Sequence, residues 1–290
     1  MECRPAPVGP APDRHHFTAT AKPPAVAVSL SGISILRPAL SGILAPASQE
    51  PYSVTQGQTQ STDPGLAARR LTCLRGERVV FTDLDFTLSP GGALILVGPN
   101  GSGKSSLLRL LAGLSRPFSG ALTWNGSDIA QDPDAHRARL RYAGHQDAVK
   151  PTLTALENLS VWAGLDGLDD PEDRAGRALA ALAMDHVADM PGRYLSAGQK
   201  KRVNLARLAL APARTAPLWL LDEPATALDR DSIDRLAALI AAHRRAGGMV
   251  VLSTHSDMDV ADAATLNLAD FGATTDDEDE SQDEATGVPA

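Results

Sequence analysis

Two strings in this sequence carry residue types that could do chemistry together. The first is Gly98-Pro99-Asn100-Gly101-Ser102-Gly103-Lys104-Ser105, followed by Ser106; the second is Leu218-Trp219-Leu220-Leu221-Asp222-Glu223. The first has the G-x-x-x-x-G-K-S spacing of a phosphate-binding loop. Its glycines let backbone N–H groups turn inward around phosphate oxygens, and the N-terminus of the helix that follows adds partial positive charge there. Lys104 is of a length to reach the outer phosphates, and the Ser105 hydroxyl suits Mg²⁺. The second string delivers two carboxylates at the end of an apolar strand. Asp222 is suited to hold Mg²⁺, and Glu223 to accept a proton from an attacking water. The chemistry implied is the binding and hydrolysis of a nucleoside triphosphate, with ATP and Mg²⁺ as the cofactors.

The elements that must position these groups follow from pattern. Ala93–Val97 is an apolar strand leading into the loop, and Ser106–Leu111 is amphipathic, with Gly113 as a C-terminal stop and Pro117 beyond it. Upstream, Leu71–Leu74, Val79–Phe81 and Asp83–Leu88 read as short strands around a turn at Gly76. Ala121–Trp124 runs into the tight turn Asn125-Gly126, and Arg139–Gly144 is a further strand ending at His145-Gln146. From about 152 to 195 the apolar spacing becomes helical, through Leu153, Leu156, Leu159 and Trp162 and then Leu179 and Leu182. A helix from Ser196, the strand 218–221, a helix from about 231 to 245 and the strand 249–253 then alternate, which implies parallel pairing. The apolar segment 265–271 is expected as an edge strand. The fold class is α/β.

Composition bounds the setting. A chain of 290 residues that is 43% hydrophobic can bury a proper core. Residues 1–65 are rich in Pro, Ala, Ser, Thr and Gln and read as a disordered extension; 272–290 read as an acidic disordered tail. Seven of the acidic residues, Asp276, Asp277, Glu278, Asp279, Glu280, Asp283 and Glu284, lie in that tail, so the chain before it is close to neutral. Nucleic-acid binding therefore has no electrostatic support. Within that neutral part, Lys200-Lys201-Arg202 reads as a solvated helix face. Cys3 and Cys73 make no disulfide framework, which fits a reducing compartment. No uninterrupted apolar run is long enough to span a membrane, and the segment 25–36 has only the length of a signal-peptide core.

Ser196-Ala197-Gly198-Gln199 alone is a helix capping box, S-x-x-Q. Preceded by Leu195, and taken with the P-loop and Leu220-Leu221-Asp222-Glu223-Pro224, it resembles the ATP-binding cassette of ABC transporters. The resemblance implies a P-loop NTPase fold over 66–271, with an antiparallel β subdomain and a helical subdomain at about 152–195. It also implies roles. Gln146 is similar to the Q-loop glutamine that touches Mg²⁺ or water, and Ala227-Leu228-Asp229 to the D-loop. His255 is similar to the switch histidine that contacts the γ-phosphate. Two copies would pair head to tail, with Ser196, Gly198 and Gln199 of one gripping the nucleotide held by Lys104 of the other. Ala197 stands where many cassettes have Gly. Arg75 stands where an aromatic commonly stacks on adenine; a guanidinium there either stacks on the purine or is simply a loop cation.

More local strings narrow the resemblance. Tyr142-Ala143-Gly144-His145-Gln146-Asp147-Ala148-Val149-Lys150-Pro151, then Leu153–Leu159, and Arg193-Tyr194 before the capping box are similar to the CcmA family. Those are the ATP-binding subunits of bacterial haem export and cytochrome c biogenesis. This implies integral membrane subunits of a cytochrome c maturation complex as partners. It implies peripheral attachment at the cytoplasmic face of the inner membrane; the helical insertion, especially Leu153 to Trp162, is the candidate docking surface for the membrane partner. The seven histidines show no paired spacing, so direct haem ligation is not expected. A soluble ATPase of the translation or DNA-repair kind would carry two cassettes or a long coiled coil, and this chain has one P-loop and no sustained heptads.

Overall fold

The computed structural model describes residues 65–254 and 258–272, together with the backbone of 26–30 and 33–37. The acidic tail and His255 lie outside the described residues.

Two sheets make the frame. The antiparallel sheet has six strands: β1 (Val26–Leu30), β2 (Ile33–Arg37), β3 (Leu66–Arg75), β4 (Arg78–Leu88), β6 (Ser119–Trp124) and β7 (Ser127–Asp128), in the order β1-β2-β4-β3-β6-β7. The second sheet has five strands, β5 (Ala93–Val97), β8 (Leu140–Ala143), β9 (Leu218–Asp222), β10 (Met249–Ser253) and β11 (Ala264–Asn267), in the order β11-β5-β10-β9-β8. All of its pairings are parallel. The connections are α1 (Lys104–Leu111), α2 (Pro133–Ala138), α3 (Ala155–Leu165), α4 (Pro171–Ala181), α5 (Ala197–Ala206) and α6 (Arg230–Arg245).

The parallel strands are apolar without alternation because both of their faces are covered. In β9, Leu218 and Leu220 pack toward α1 and the antiparallel sheet, while Trp219 and Leu221 pack toward the helical side. Met249 and Val251 of β10 divide from Val250 and Leu252 in the same way. On the helical side, Leu159, Leu179, Leu182 and Met184 form the core of the insertion together with Val203 and Leu205 of α5. Burying both faces fixes where the strand ends fall, and the chemistry sits at those ends.

The edge of the antiparallel sheet differs from the sequence expectation. The stretch 1–65 was expected to lack structure, yet β1 and β2 form a hairpin, and β2 pairs with β4 through Ile33–Leu88, Ser34–Thr87 and Ile35–Phe86. The physical reason is local. Val26-Ala27-Val28 and Ile33-Ser34-Ile35 carry strand-forming residues, and the two runs are close together in the sequence. At the other end, the expected edge strand 265–271 is a strand only to Asn267; Leu268–Phe271 close as a 3₁₀ turn.

Candidate active site

β5 feeds the glycine loop, and α1 begins directly behind it. Gly98, Gly101 and Gly103 have φ of 136°, 83° and 100°, the region that suits glycine. At Gly103 the need is also steric, since a Cβ would lie 2.5 Å from Cγ1 of Val80. No side chain caps α1, so the N–H groups of its first turn remain open to an anion. Lys104 is only 7% exposed, and its Nζ donates to the carbonyl oxygens of Gly98 (2.7 Å) and Pro99 (3.2 Å). The Ser102 hydroxyl is buried and has no hydrogen-bond partner among the described residues. Such a group is normally satisfied, which fits a loop built around oxygen-rich phosphate.

Three hydrogen bonds tie the Asp222 carboxylate and the Glu223 backbone to two serines. Ser105 Oγ donates to Asp222 Oδ1 at 3.1 Å, and Ser253 Oγ donates to the same oxygen at 2.8 Å. The Glu223 backbone N–H in turn donates to Ser253 Oγ at 3.0 Å. Ser253 is fully buried and sits in register with Asp222 across β9 and β10. Sequence reading missed it, because its importance appears only once the two strands are paired. Glu223 itself has φ of 50°, an uncommon left-handed conformation for a non-glycine residue. That turn takes the chain out of β9 and leaves Glu223 at the cleft wall.

The cleft is roughly 700 Å³ and is lined by Arg75, Asn100, Lys104, Ser105, Ser106, His145 and Glu223, among others. Arg75, the residue discussed for adenine, thus shares a wall with the P-loop. Gln146 does not; it is exposed in the bend that follows β8, and its neighbour His145 occupies the cleft wall. Ser105 and Asp222 supply converging oxygen donors, the kind that suits Mg²⁺. His255 falls outside the described residues, three positions beyond Leu252 in β10.

The start of α5 stands apart from this cleft. Ser196 Oγ accepts from the Gln199 N–H, and Gln199 Oε1 accepts from the Ser196 N–H, which makes the capping box. A Cβ on Gly198 would sit 3.1 Å from the carbonyl oxygen of Ala227, so the start of α5 packs closely on the segment 227–229. Asp229 caps α6 by accepting from the Ser232 N–H at 2.9 Å, and hydrogen bonds from Ser232 hold its carboxyl below the usual range. None of Ser196, Gly198, Gln199 and Asp229 is among the residues lining the cleft. The same helix corrects one expectation: Lys201, read as part of a solvated face, is only 5% exposed.

The site and fold have known likenesses. Residues 81–226 match the family model described as ABC transporter. The cytochrome c biogenesis ATP-binding export protein CcmA of Paramagnetospirillum magneticum is 56% identical over 214 residues, covering 72% of this chain and 96% of that protein. The CcmA of Rhodospirillum rubrum is 58% identical over 205 residues, covering 71% and 86%. Among solved structures, an ATP-binding subunit of an ABC transporter aligns with a TM-score of 0.59 at 27% identity, over 66% of this chain and 79% of that one. The dimeric post-hydrolysis state of the ATP-binding cassette MJ0796, bound to ADP and Pi, aligns with a TM-score of 0.59 at 26% identity, over 71% and 94%.

Proposed function

We propose, from the premise that this chain belongs to the CcmA family of ABC-transporter ATP-binding subunits, that it hydrolyses ATP to drive a membrane complex of cytochrome c maturation. The work driven is haem export or release of a haem-loaded chaperone. The observation that carries the catalytic part is the convergence of Ser105 and Ser253 on Asp222, with Glu223 on the wall of the cleft that Lys104 lines.

In this reading the open N–H groups of α1 and the Lys104 ammonium hold the outer phosphates. Ser105 and Asp222 would hold Mg²⁺, with Gln146 turned in from the bend after β8, and the ion would supply neutralisation of phosphate charge. Glu223 takes a proton from water as the water oxygen attacks the γ-phosphorus. The bond from that phosphorus to the β–γ bridging oxygen breaks, leaving ADP and phosphate. His255 is assigned to the γ-phosphate and Arg75 to the adenine. Asp222 is kept from drifting by its two hydroxyl donors, so Glu223, one residue on, is held relative to the loop.

The signature residues Ser196, Gly198 and Gln199, and Asp229 beside them, complete the site from a second copy of this chain. Their separation from the Lys104 cleft within one chain supports that arrangement. A helix start facing the γ-phosphate gives it an electrostatic reason.

No helix among the described residues is long and apolar enough to cross a membrane, so we assign attachment at the cytoplasmic face of the inner membrane to integral membrane partners. We keep the docking surface for those partners on the helical insertion. Leu159 is core, while Val161 and Leu165 of α3 are 43% and 73% exposed. Beside them, a groove of about 380 Å³ runs between α3 and the parallel sheet, past Leu114, Arg141, Trp162 and Arg207.

Glu223→Gln tests the catalytic assignment. We expect turnover to fall by about 100-fold or more while nucleotide binding persists; unchanged ATPase activity would remove Glu223 from the role of base. A strain carrying only that variant should make no holocytochrome c, and one that still makes it contradicts the cytochrome assignment.

A further inference from the structure

The cleft has two ends that offer different chemistry. At one, Ser105 meets Asp222 and Glu223 stands on the wall, so the γ-phosphate belongs there. The other is the tip of the β3–β4 hairpin, from which Arg75, Arg78 and Val80 line the cleft. Val80 marks where the hairpin meets the P-loop, since a Cβ on Gly103 would lie 2.5 Å from its Cγ1. Arg78 is two residues from Val80, on the same face of β4 and roughly 7 Å along the strand toward the tip. Arg75 is the cross-strand partner of Arg78, so its side chain rises from that face too. A triphosphate that starts at Glu223 and crosses the start of α1 carries its nucleoside to this pair.

The pair offers hydrogen-bond donors alone. A guanidinium has five N–H donors in a planar fork and no acceptor. Both arginines are exposed, and no ion pair joins either one to a carboxylate among the described residues. Like charges directly opposite each other on a hairpin repel, so an electron-rich ligand at the tip relieves a cost. Among the described residues lining the cleft there is no Phe, Tyr or Trp to hold a base by stacking. The lining side chains that can accept a hydrogen bond, such as Asn100, Ser105, His145 and Glu223, belong to the P-loop, α1, the bend after β8 and the turn after β9. Purines differ in how they meet such a wall. Guanine shows two acceptors, N7 and O6, on one edge, and an arginine fork pairs with both; adenine shows N7 beside an N6 amino donor, which a fork of donors leaves unpaired.

We propose that the Arg75–Arg78 pair sets base choice in favour of a 6-oxopurine, so that the site takes guanosine triphosphate at least as readily as ATP. This extends the base contact assigned above to Arg75 and adds Arg78 to it. The inference rests on the ATPase reading of the site.

The test measures phosphate release by the full chain with ATP, GTP and inosine triphosphate, which keeps guanine's N7 and O6 but lacks its 2-amino group. kcat/KM for GTP and for inosine triphosphate should each equal or exceed that for ATP. A preference for ATP over either one overturns the proposal. In the double variant Arg75→Gln/Arg78→Gln each side chain offers one donor and one acceptor, the pattern that adenine's edge matches. The GTP-to-ATP ratio of kcat/KM should then fall by about tenfold. An equal loss for all three nucleotides, which cations acting only on phosphate would produce, overturns the proposal. Both positions flank an exposed turn, and the comparison of nucleotides on the parent chain stands without the variant. If the parent hydrolyses none of the three, the ATPase reading fails and takes the inference with it; if ATP is turned over well and GTP poorly, only the present inference fails.

Discussion

The starts of α1 and α5 are both helix N-termini assigned to the same triphosphate, and they are built in opposite ways. At α1 the N-cap is Gly103 with φ of 100°, and no side chain satisfies the first-turn N–H groups. At α5 the chain satisfies itself, because Ser196 and Gln199 exchange hydrogen bonds with each other's backbone. The first is a helix start whose order depends on the loop wrapped before it, held by Lys104 on the carbonyls of Gly98 and Pro99. The second is stable by its own local chemistry. This difference fits their roles. In the proposed arrangement the P-loop folds around its own chain's nucleotide, whereas the signature start is set before a partner copy's nucleotide reaches it.

Substitutions at the two starts should therefore part company. Gly103→Ala forces a left-handed alanine and drives a methyl into Val80, so it should weaken nucleotide binding by more than about tenfold and cost about 2 kcal/mol of stability. Titration with a fluorescent nucleotide and denaturant melts would measure both. Retained affinity would show that α1 does not need its glycine start. Ser196→Ala should be milder. It removes one cap and should cost about 1 kcal/mol in the same melts, while the isolated chain binds nucleotide with affinity changed less than about twofold. A large loss of affinity there would place Ser196 in its own chain's site and break the contrast.

Much of the first start was legible in sequence and less of the second. Gly98 to Ser105 is read from one contiguous string, because loop, strand and helix are neighbours in the chain as well as in space. The strand ending in Asp222 and Glu223 was legible for the same reason. What stayed hidden depends on pairings across the chain. Ser253 reaches Asp222 only because β10 lies beside β9 in one register. Lys201 looked solvated because Lys200 and Arg202 flank it, and a charge run gives no sign of which member faces inward. Likewise, nothing in the string says that His145 rather than Gln146, its neighbour in the bend after β8, lines the cleft. The β1–β2 hairpin was missed for another reason: the surrounding Pro- and Ser-rich composition masked two short strand-forming runs.

The central claim is that the complete site is shared between two copies, and complementation between inactive chains tests it most directly. Lys104→Ala removes the phosphate lysine, and Gly198→Asp puts an anion at the start of α5, against Ala227. Each variant alone should be nearly inactive. Mixed in equal amounts, they should regain about a quarter of parental ATPase activity, since half of the random dimers pair unlike chains and each of those holds one intact site. A mixture no more active than its separate components would contradict the shared site.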